Sequence, residues 1–196
     1  MAQYILGLIY LTEDCVARDV NKAIYYLSLA ANQNLKEAII QLALIYFDGC
    51  YTQKNYQKSI HYFLLAAEQN CAEAQYYLGA IYYYGFGAKQ DIGKTLYYLS
   101  LAANQHFSEA IYLLGYFYYE NKYIQRDMKK CIHYWNLAAT LNNNRANNNL
   151  GLLYLKGEYL PHDLNKAEFY FSRAANQNNP KAQLNLAFLY LKKENI

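Results

Sequence analysis

Apolar, small and polar positions recur along this chain in blocks set 36 residues apart. An Ala opens each apolar segment at Ala2, Ala38, Ala74, Ala110, Ala146 and Ala182, with no insertion between any two. Leu6, Leu42, Leu78, Leu114, Leu150 and Leu186 form the next column, and Gly7, Ala43, Gly79, Gly115, Gly151 and Ala187 the one beside it. Tyr10, Tyr46, Tyr82, Tyr118, Tyr154 and Tyr190 close the segment. These offsets put Ala, Leu, Gly and Tyr on one stripe of a helix, here called helix A. A second set follows in each block. It holds Tyr26, Tyr62, Tyr98, Tyr134 and Tyr170, then the pairs Ala30-Ala31, Ala66-Ala67, Ala102-Ala103, Ala138-Ala139 and Ala174-Ala175. That set marks a second helix, helix B. A period of this length is the signature of a stacked repeat, in which no unit buries its apolar face alone.

The punctuation between the sets agrees. The first helix A is expected from about Ala2 to Leu11, and short connections are clearest at Gly85-Phe86-Gly87 and Lys156-Gly157. Helix B is expected to start after Asp19, Asn55, Asp91, Asp127 and Asp163, whose short acceptor side chains suit an N-cap. It ends near Asn34, Asn70, His106, Asn142 and Asn178, and Asn tolerates the left-handed residue that closes a helix. Pro180 fits a first helical turn. Gly in mid-helix weakens helix A, so a neighbouring helix must approach closely there, with the Ala pair of helix B as the expected facing surface. The invariant Tyr columns read as core.

Composition narrows the function classes. The chain has 196 residues, 55% hydrophobic and 17% charged, with net charge +3. This favours a continuous core over disorder and gives no electrostatic case for nucleic acid or an anionic membrane. No apolar run is long enough to span a bilayer, and the first residues lack a secretory signal pattern. A soluble, cytoplasmic protein is expected, or a lumenal or membrane-associated one if the chain belongs to something longer. There are 25 Tyr and only 2 Pro, which favours helices.

The unit A-x-x-x-L-G-x-x-Y, a loop, then D-x-x-K-A-x-x-Y-x-x-x-A-A-x-Q-N resembles the Sel1-like repeat, a relative of the tetratricopeptide repeat. The match is sharpest at Leu78-Gly79, Tyr82, Gly85-Phe86-Gly87, Asp91, Lys94, Tyr98, Ala102-Ala103 and Gln105. It departs where Asn follows the final Gln, and where residues 12–18 and 121–126 lack paired glycines. The resemblance implies an all-α, right-handed α/α superhelical solenoid of about five and a half antiparallel helix pairs. One domain over residues 1–196 would hold units 2–37, 38–73, 74–109, 110–145 and 146–181 and a partial unit 182–196. It also implies an adaptor. Sel1-like proteins serve in a ubiquitin-ligase complex of the endoplasmic reticulum, in cell-wall regulation and at host factors. A non-catalytic scaffold that binds a protein or peptide is therefore expected, with no cofactor, no metal and no membrane insertion.

In tetratricopeptide-like stacks helix A lines the concave face. The outward columns there read Tyr76, Ala80 and Tyr83 with Tyr84 adjacent, then Tyr112, Tyr116 and Tyr119, then Asn148, Leu152 and Leu155. These tyrosines are expected to offer ring faces and hydroxyls to a partner backbone. The residue before the opening Ala reads Glu37, Glu73, Glu109, Arg145 and Lys181, a column able to orient a charged peptide. Glu there also supports the helix dipole, an explanation that does not cover Arg145 or Lys181.

Other chemistry is thin. Cys15, Cys50, Cys71 and Cys131 occupy different positions in their units and form no zinc-type pair. The within-repeat cysteine pair of cysteine-rich relatives is absent, which implies reduced thiols. His61 and His133 share a column with Tyr25, Tyr97 and Phe169 and read as packing or surface residues, and Trp135 replaces Leu or Phe in a core column. Two alternatives stand. Exposed Tyr on a helical repeat suits single-stranded RNA, although Glu37, Glu73 and Glu109 oppose phosphate. Cysteine-rich relatives suggest β-lactam binding or hydrolysis. Neither end carries an atypical polar cap, so flanking domains or self-association are expected to cover the ends.

Overall fold

The computed structural model describes residues 1–12, 17–120 and 122–194, with side chains to residue 191. Cys15, Asn121 and most of the first loop lie outside the described residues. Among the described residues the chain forms eleven α-helices and no strand: α1 (Ala2–Leu11), α2 (Val20–Ala31), α3 (Lys36–Asp48), α4 (Tyr56–Glu68), α5 (Ala72–Tyr84), α6 (Ile92–Asn104), α7 (Ser108–Glu120), α8 (Met128–Thr140), α9 (Asn144–Lys156), α10 (Leu164–Ala175) and α11 (Pro180–Glu194). Odd-numbered helices carry the helix-A pattern and even-numbered ones the helix-B pattern. None is long and apolar enough to cross a membrane. The helices divide into two compact units, Met1–Ala102 and Ala103–Ile196.

The local signals act as the side-chain chemistry dictates. Oδ1 of Asp19, Asn55, Asp91, Asp127 and Asp163 accepts the amide three residues on, at 2.9–3.0 Å. The amide of each cap residue donates to a helix-A tyrosine carbonyl, that of Tyr10, Tyr46, Tyr82, Tyr118 or Tyr154. One residue thus closes the loop and starts the helix. At the other end Asn34, Asn70, His106, Asn142 and Asn178 adopt φ of 56–63°. Asn is among the side chains least strained there. The amides of this turn return to the Ala pair: Asn34 to Ala31 and Leu35 to Ala30, Asn178 to Ala175 and Asn179 to Ala174.

That places the Ala pair at the reversal into the next helix A, and it corrects the expected partner of the glycine column. A Cβ on Gly7 would fall 2.6 Å from Leu27, one on Gly79 2.8 Å from Leu99, one on Gly115 2.6 Å from Trp135, and one on Gly151 2.6 Å from Phe171. The large residue of helix B, not its alanines, seats in the gap that glycine leaves. Leu27, Leu99 and Phe171 are fully buried and Trp135 is nearly so.

The tyrosine columns also differ from expectation. Of the helix-A column only Tyr46 is buried, Tyr10, Tyr82, Tyr118 and Tyr154 are half-buried, and Tyr190 is exposed. Each helix-A ring of the first five lies parallel to a helix-B ring, in the pairs Tyr10–Tyr26, Tyr46–Tyr62, Tyr82–Tyr98, Tyr118–Tyr134 and Tyr154–Tyr170, with centroids 5.7–6.0 Å apart. The ammonium of Lys22, Lys58, Lys94, Lys130 or Lys166 stands 4.8–5.3 Å over the helix-A ring. The stacks are amphipathic seams: ring faces pack on each other and on apolar surface while the lysines stay exposed.

Inside the first unit the core follows this scheme, and Phe63 fills the site opposite α3 and α5. Gln33 Nε2 donates to Gln3 (2.7 Å) within the first repeat, and Gln69 Nε2 donates to Asn34 Oδ1 (3.5 Å), which ties the second repeat to the first. Ties between helices A are explicit in the second unit. Asn143 Nδ2 donates to Ser108 Oγ (3.5 Å), Asn179 Nδ2 to Asn144 Oδ1 (3.2 Å), and Asn185 Nδ2 to Asn148 Oδ1 (2.9 Å). These bonds hold α7, α9 and α11 side by side. Leu184, Phe188 and Leu191 of α11 are exposed.

Candidate functional site

The tyrosines expected to meet a partner fall in both units, and each group is held in its own way. In the first unit Tyr76, Tyr83 and Tyr84 lie on α5. Tyr76 is half-buried and sits edge-on to Tyr77 (5.4 Å), which stacks closely on Phe63 (4.8 Å). Burial beside Phe63, then the nearby charges of Glu73 and Asp48, push the Tyr77 hydroxyl pKa above its usual value. Tyr83 sits edge-on to Tyr84 (4.7 Å), and Tyr84 is 64% exposed. Tyr84 stacks on Phe86 (5.2 Å), and Phe86 stacks on Tyr56 (5.2 Å). Phe47 closes against Tyr56, Phe63, Tyr77 and Phe86. The loop that carries Phe86 is fixed by its glycines. Gly85 and Gly87 have φ of +75° and +66°, and a Cβ on Gly87 would strike Tyr56 at 2.4 Å. Gln57 donates to the Gly87 carbonyl and Gln90 to that of Tyr83. The result is a three-ring row with its outer member in solvent.

In the second unit Tyr112, Tyr116 and Tyr119 form a stripe along α7. Tyr112 and Tyr119 pack on Trp135 (6.3 and 5.4 Å), and Tyr116 leans on both tyrosines (6.4 Å each). All three are half-buried, while Trp135 is 2% exposed. Tyr116 donates its hydroxyl proton to Glu120 (3.2 Å). Arg126 lies over the Tyr119 ring (5.4 Å) and donates to its carbonyl (2.9 Å). Burial raises the Tyr112 pKa, an effect partly offset by a hydrogen bond with the Asn149 side chain and by the Arg145 charge. Variation between repeats suggests that these tyrosines are free of core duties, yet two of them rest on a core residue. The signal was available: the one Trp of the chain falls in the repeat whose helix A carries all three.

The remaining residues part company. Arg145 is exposed near Tyr112. Asn148 is buried, and its Oδ1 accepts from Asn185, so its side chain is turned to the next helix A rather than to a partner. Leu152 and Leu155 are half-buried against Phe171 and Leu189, and Ala80 is half-buried. Asn149, beside Tyr112, escaped the sequence reading because its column carries no pattern. His61 and His133 are exposed and sit edge-on to Tyr62 and Tyr134 (5.3 and 5.6 Å). Cys50 is exposed, and Cys71 and Cys131 are buried, all three as free thiols. Among the described residues no group of three or more His, Cys, Asp or Glu is placed to hold a metal ion.

The Sel1 repeat family model matches residues 1–35, 36–71, 72–107, 108–143 and 144–179. The chain belongs to the Sel1 repeat family, and its helix pairs have the family's solenoid fold. It is similar to the crystal structure of a Sel1 repeat protein from Oxalobacter formigenes, with TM-score 0.94 and 30% identity over 98% of this chain and 56% of that one. It is also similar to a protective antigen of uropathogenic Escherichia coli strains that displays an SLR fold, with TM-score 0.84 and 28% identity over 96% of this chain and 40% of that one. Helicobacter pylori cysteine rich protein B is similar over 69% of this chain and 97% of its own, with TM-score 0.52 and 27% identity. No curated protein matches. The chain thus spans about half the length, or less, of the first two structures.

Proposed function

We propose that this chain is a non-catalytic scaffold that holds a partner protein or peptide on its helix-A tyrosines. Sel1 repeat proteins are generally protein-interaction scaffolds. The observation that carries the reading to particular residues is the way these rings are held. Tyr84 shows an exposed ring braced on Phe86 and Tyr56. Tyr112, Tyr116 and Tyr119 show ring edges braced on one another and on Trp135. A ring that is already ordered loses little rotamer freedom when a partner covers it, and Tyr adds a hydroxyl for the partner's backbone. Each unit is proposed to offer its own contact area.

Affinity capture with the chain as bait tests this, with Tyr76→Ala/Tyr84→Ala and Tyr116→Ala variants run in parallel. The expected outcome is a partner retained by the parent chain and depleted with at least one variant. Equal recovery with all three baits would remove these tyrosines from the reading.

A further inference from the structure

We propose that the second unit takes an acidic segment of its partner, with carboxylates on Arg145 and Lys181 and the preceding residues against Tyr112 and Tyr116. The inference rests on the scaffold reading and names the chemistry of what is held. By sequence the first unit carries seven Lys and Arg against eight Asp and Glu, and the second eleven against seven. Arg145 and Lys181 occupy the same position on successive helices A and are both exposed. Hydrogen bonds on either side, Asn179 Nδ2 to Asn144 Oδ1 at 3.2 Å and Asn185 Nδ2 to Asn148 Oδ1 at 2.9 Å, hold α9 and α11 together at that level. Neither cation forms an ion pair or hydrogen bond among the described residues.

Their placement has no account in helix stability. Glu37, Glu73 and Glu109 stand at this position in the first turns of α3, α5 and α7, where a negative charge is favoured. A cation there opposes the dipole of its own helix. The first turns are also capped already: Asn143 accepts from Ala146 and Asn179 from Ala182, both at 3.0 Å. An incoming anion therefore meets side chains rather than free amides. Near Arg145 stands the Tyr112 ring, whose hydroxyl shares a hydrogen bond with the Asn149 side chain, groups suited to a peptide backbone. Glu109 precedes Arg145 in the row, and Glu120 accepts from Tyr116. These carboxylates disfavour acidic residues over α7, which sets the direction of the segment. They also disfavour a nucleic-acid backbone, which needs cations along its whole path.

Selection of a random peptide library displayed on phage against the whole chain tests this, with Arg145→Glu/Lys181→Glu as counter-target. Circular dichroism and thermal melting establish that the variant is folded, and Arg145→Gln/Lys181→Gln serves if it is not. Peptides retained by the parent are expected to be enriched in Asp and Glu over the library. Their synthetic, fluorescein-labelled forms should lose about tenfold in affinity on charge reversal, and should bind more weakly as salt rises. If retained peptides bind parent and reversed variant equally but are lost with Tyr116→Ala, the scaffold reading stands and the acidic segment falls. If no peptide is retained by the parent, both fall together. If a single-stranded oligouridylate is retained and charge reversal releases it, the occupant is a nucleic acid and the proposal is overturned.

Discussion

Tyr76 and Tyr83 of α5 occupy the columns of Tyr112 and Tyr119 of α7 one repeat on, yet the two groups of surface tyrosines stand on different ground. On α5 Tyr83 meets Tyr84, and Tyr84 leans outward onto a loop, through Phe86 between its two left-handed glycines. Those of α7 lean inward onto Trp135, at the centre of a helix pair. A repeat thus has two ways of holding a ring at its surface. One couples the ring to a connection that can open locally. The other couples it to the core, so that surface and stability change together.

Removing each support separates the two. Trp135→Ala should cost about 3–5 kcal/mol, the usual range for a buried aromatic, because it empties the gap over Gly115 as well. Urea unfolding measures this, and a loss under about 1 kcal/mol would mean that α7 does not depend on the indole. Phe86→Ala should cost less, about 2 kcal/mol, because Phe86 is only half-buried and its loop lies outside the helix pair. Hydrogen exchange should quicken in residues 85–91 and leave α5 protected. Uniform quickening across the first unit would erase the contrast.

How much of this can be read from sequence depends on the range of the interaction. The caps Asp19 to Asp163, the turn residues Asn34 to Asn178 and the start at Pro180 are settled by backbone groups within a few residues, and they stand where the pattern puts them. The partner of the glycine column was not legible. The pattern says that something large or close must lie opposite, but the register of helix B against helix A decides whether that is Ala30 or Leu27, and no spacing within one helix states it. Asn148 sits in an outward column by periodicity but is buried, because Asn185 reaches back to it from the next repeat. The tyrosine columns look like core because they do not vary. Their invariance instead serves a half-exposed seam in which ring, lysine and cap are fixed together.

The helix-B position after the capping lysine gives a finer contrast. In the first unit it holds Ala23, Ser59 and Thr95, and both hydroxyls donate to carbonyls at 2.9 Å, Ser59 to Ala43 and Thr95 to Asp91. In the second unit it holds Cys131, fully buried, with its thiol pushed up from 9.0 to about 12 by burial. The folded chain therefore keeps this proton between those values while the unfolded chain releases it. Its contribution is intact below pH 9 and is lost as pH rises, approaching about 1.4 kcal/mol per pH unit. Cys131→Ala, which copies Ala23 and Ala167, should flatten that alkaline decline in urea titrations from pH 8 upward. A slope unchanged by the substitution would place the proton elsewhere, for example on Tyr112.

The smallest expected effect is a gain. Asn147 is fully buried on α9, where its Nδ2 donates to the Asn143 carbonyl (2.8 Å) and its Oδ1 has no partner among the described residues. An acceptor left dry costs about 1–3 kcal/mol, while the bond its amide makes returns only about 1 kcal/mol. Ile39 and Ile111 fill the same column, fully buried or nearly so, in α3 and α7, which shows that the repeat accommodates a branched apolar side chain there. Asn147→Ile should therefore raise stability by about 1 kcal/mol, seen as a higher urea midpoint at unchanged slope. The same change leaves Arg145, Asn149 and Lys181 in place, so peptide affinity should stay within about twofold of the parent. A stabilised variant that lost its peptides would tie the buried asparagine to the binding surface, and would make α9, like α7, a helix whose outer face depends on its inner one.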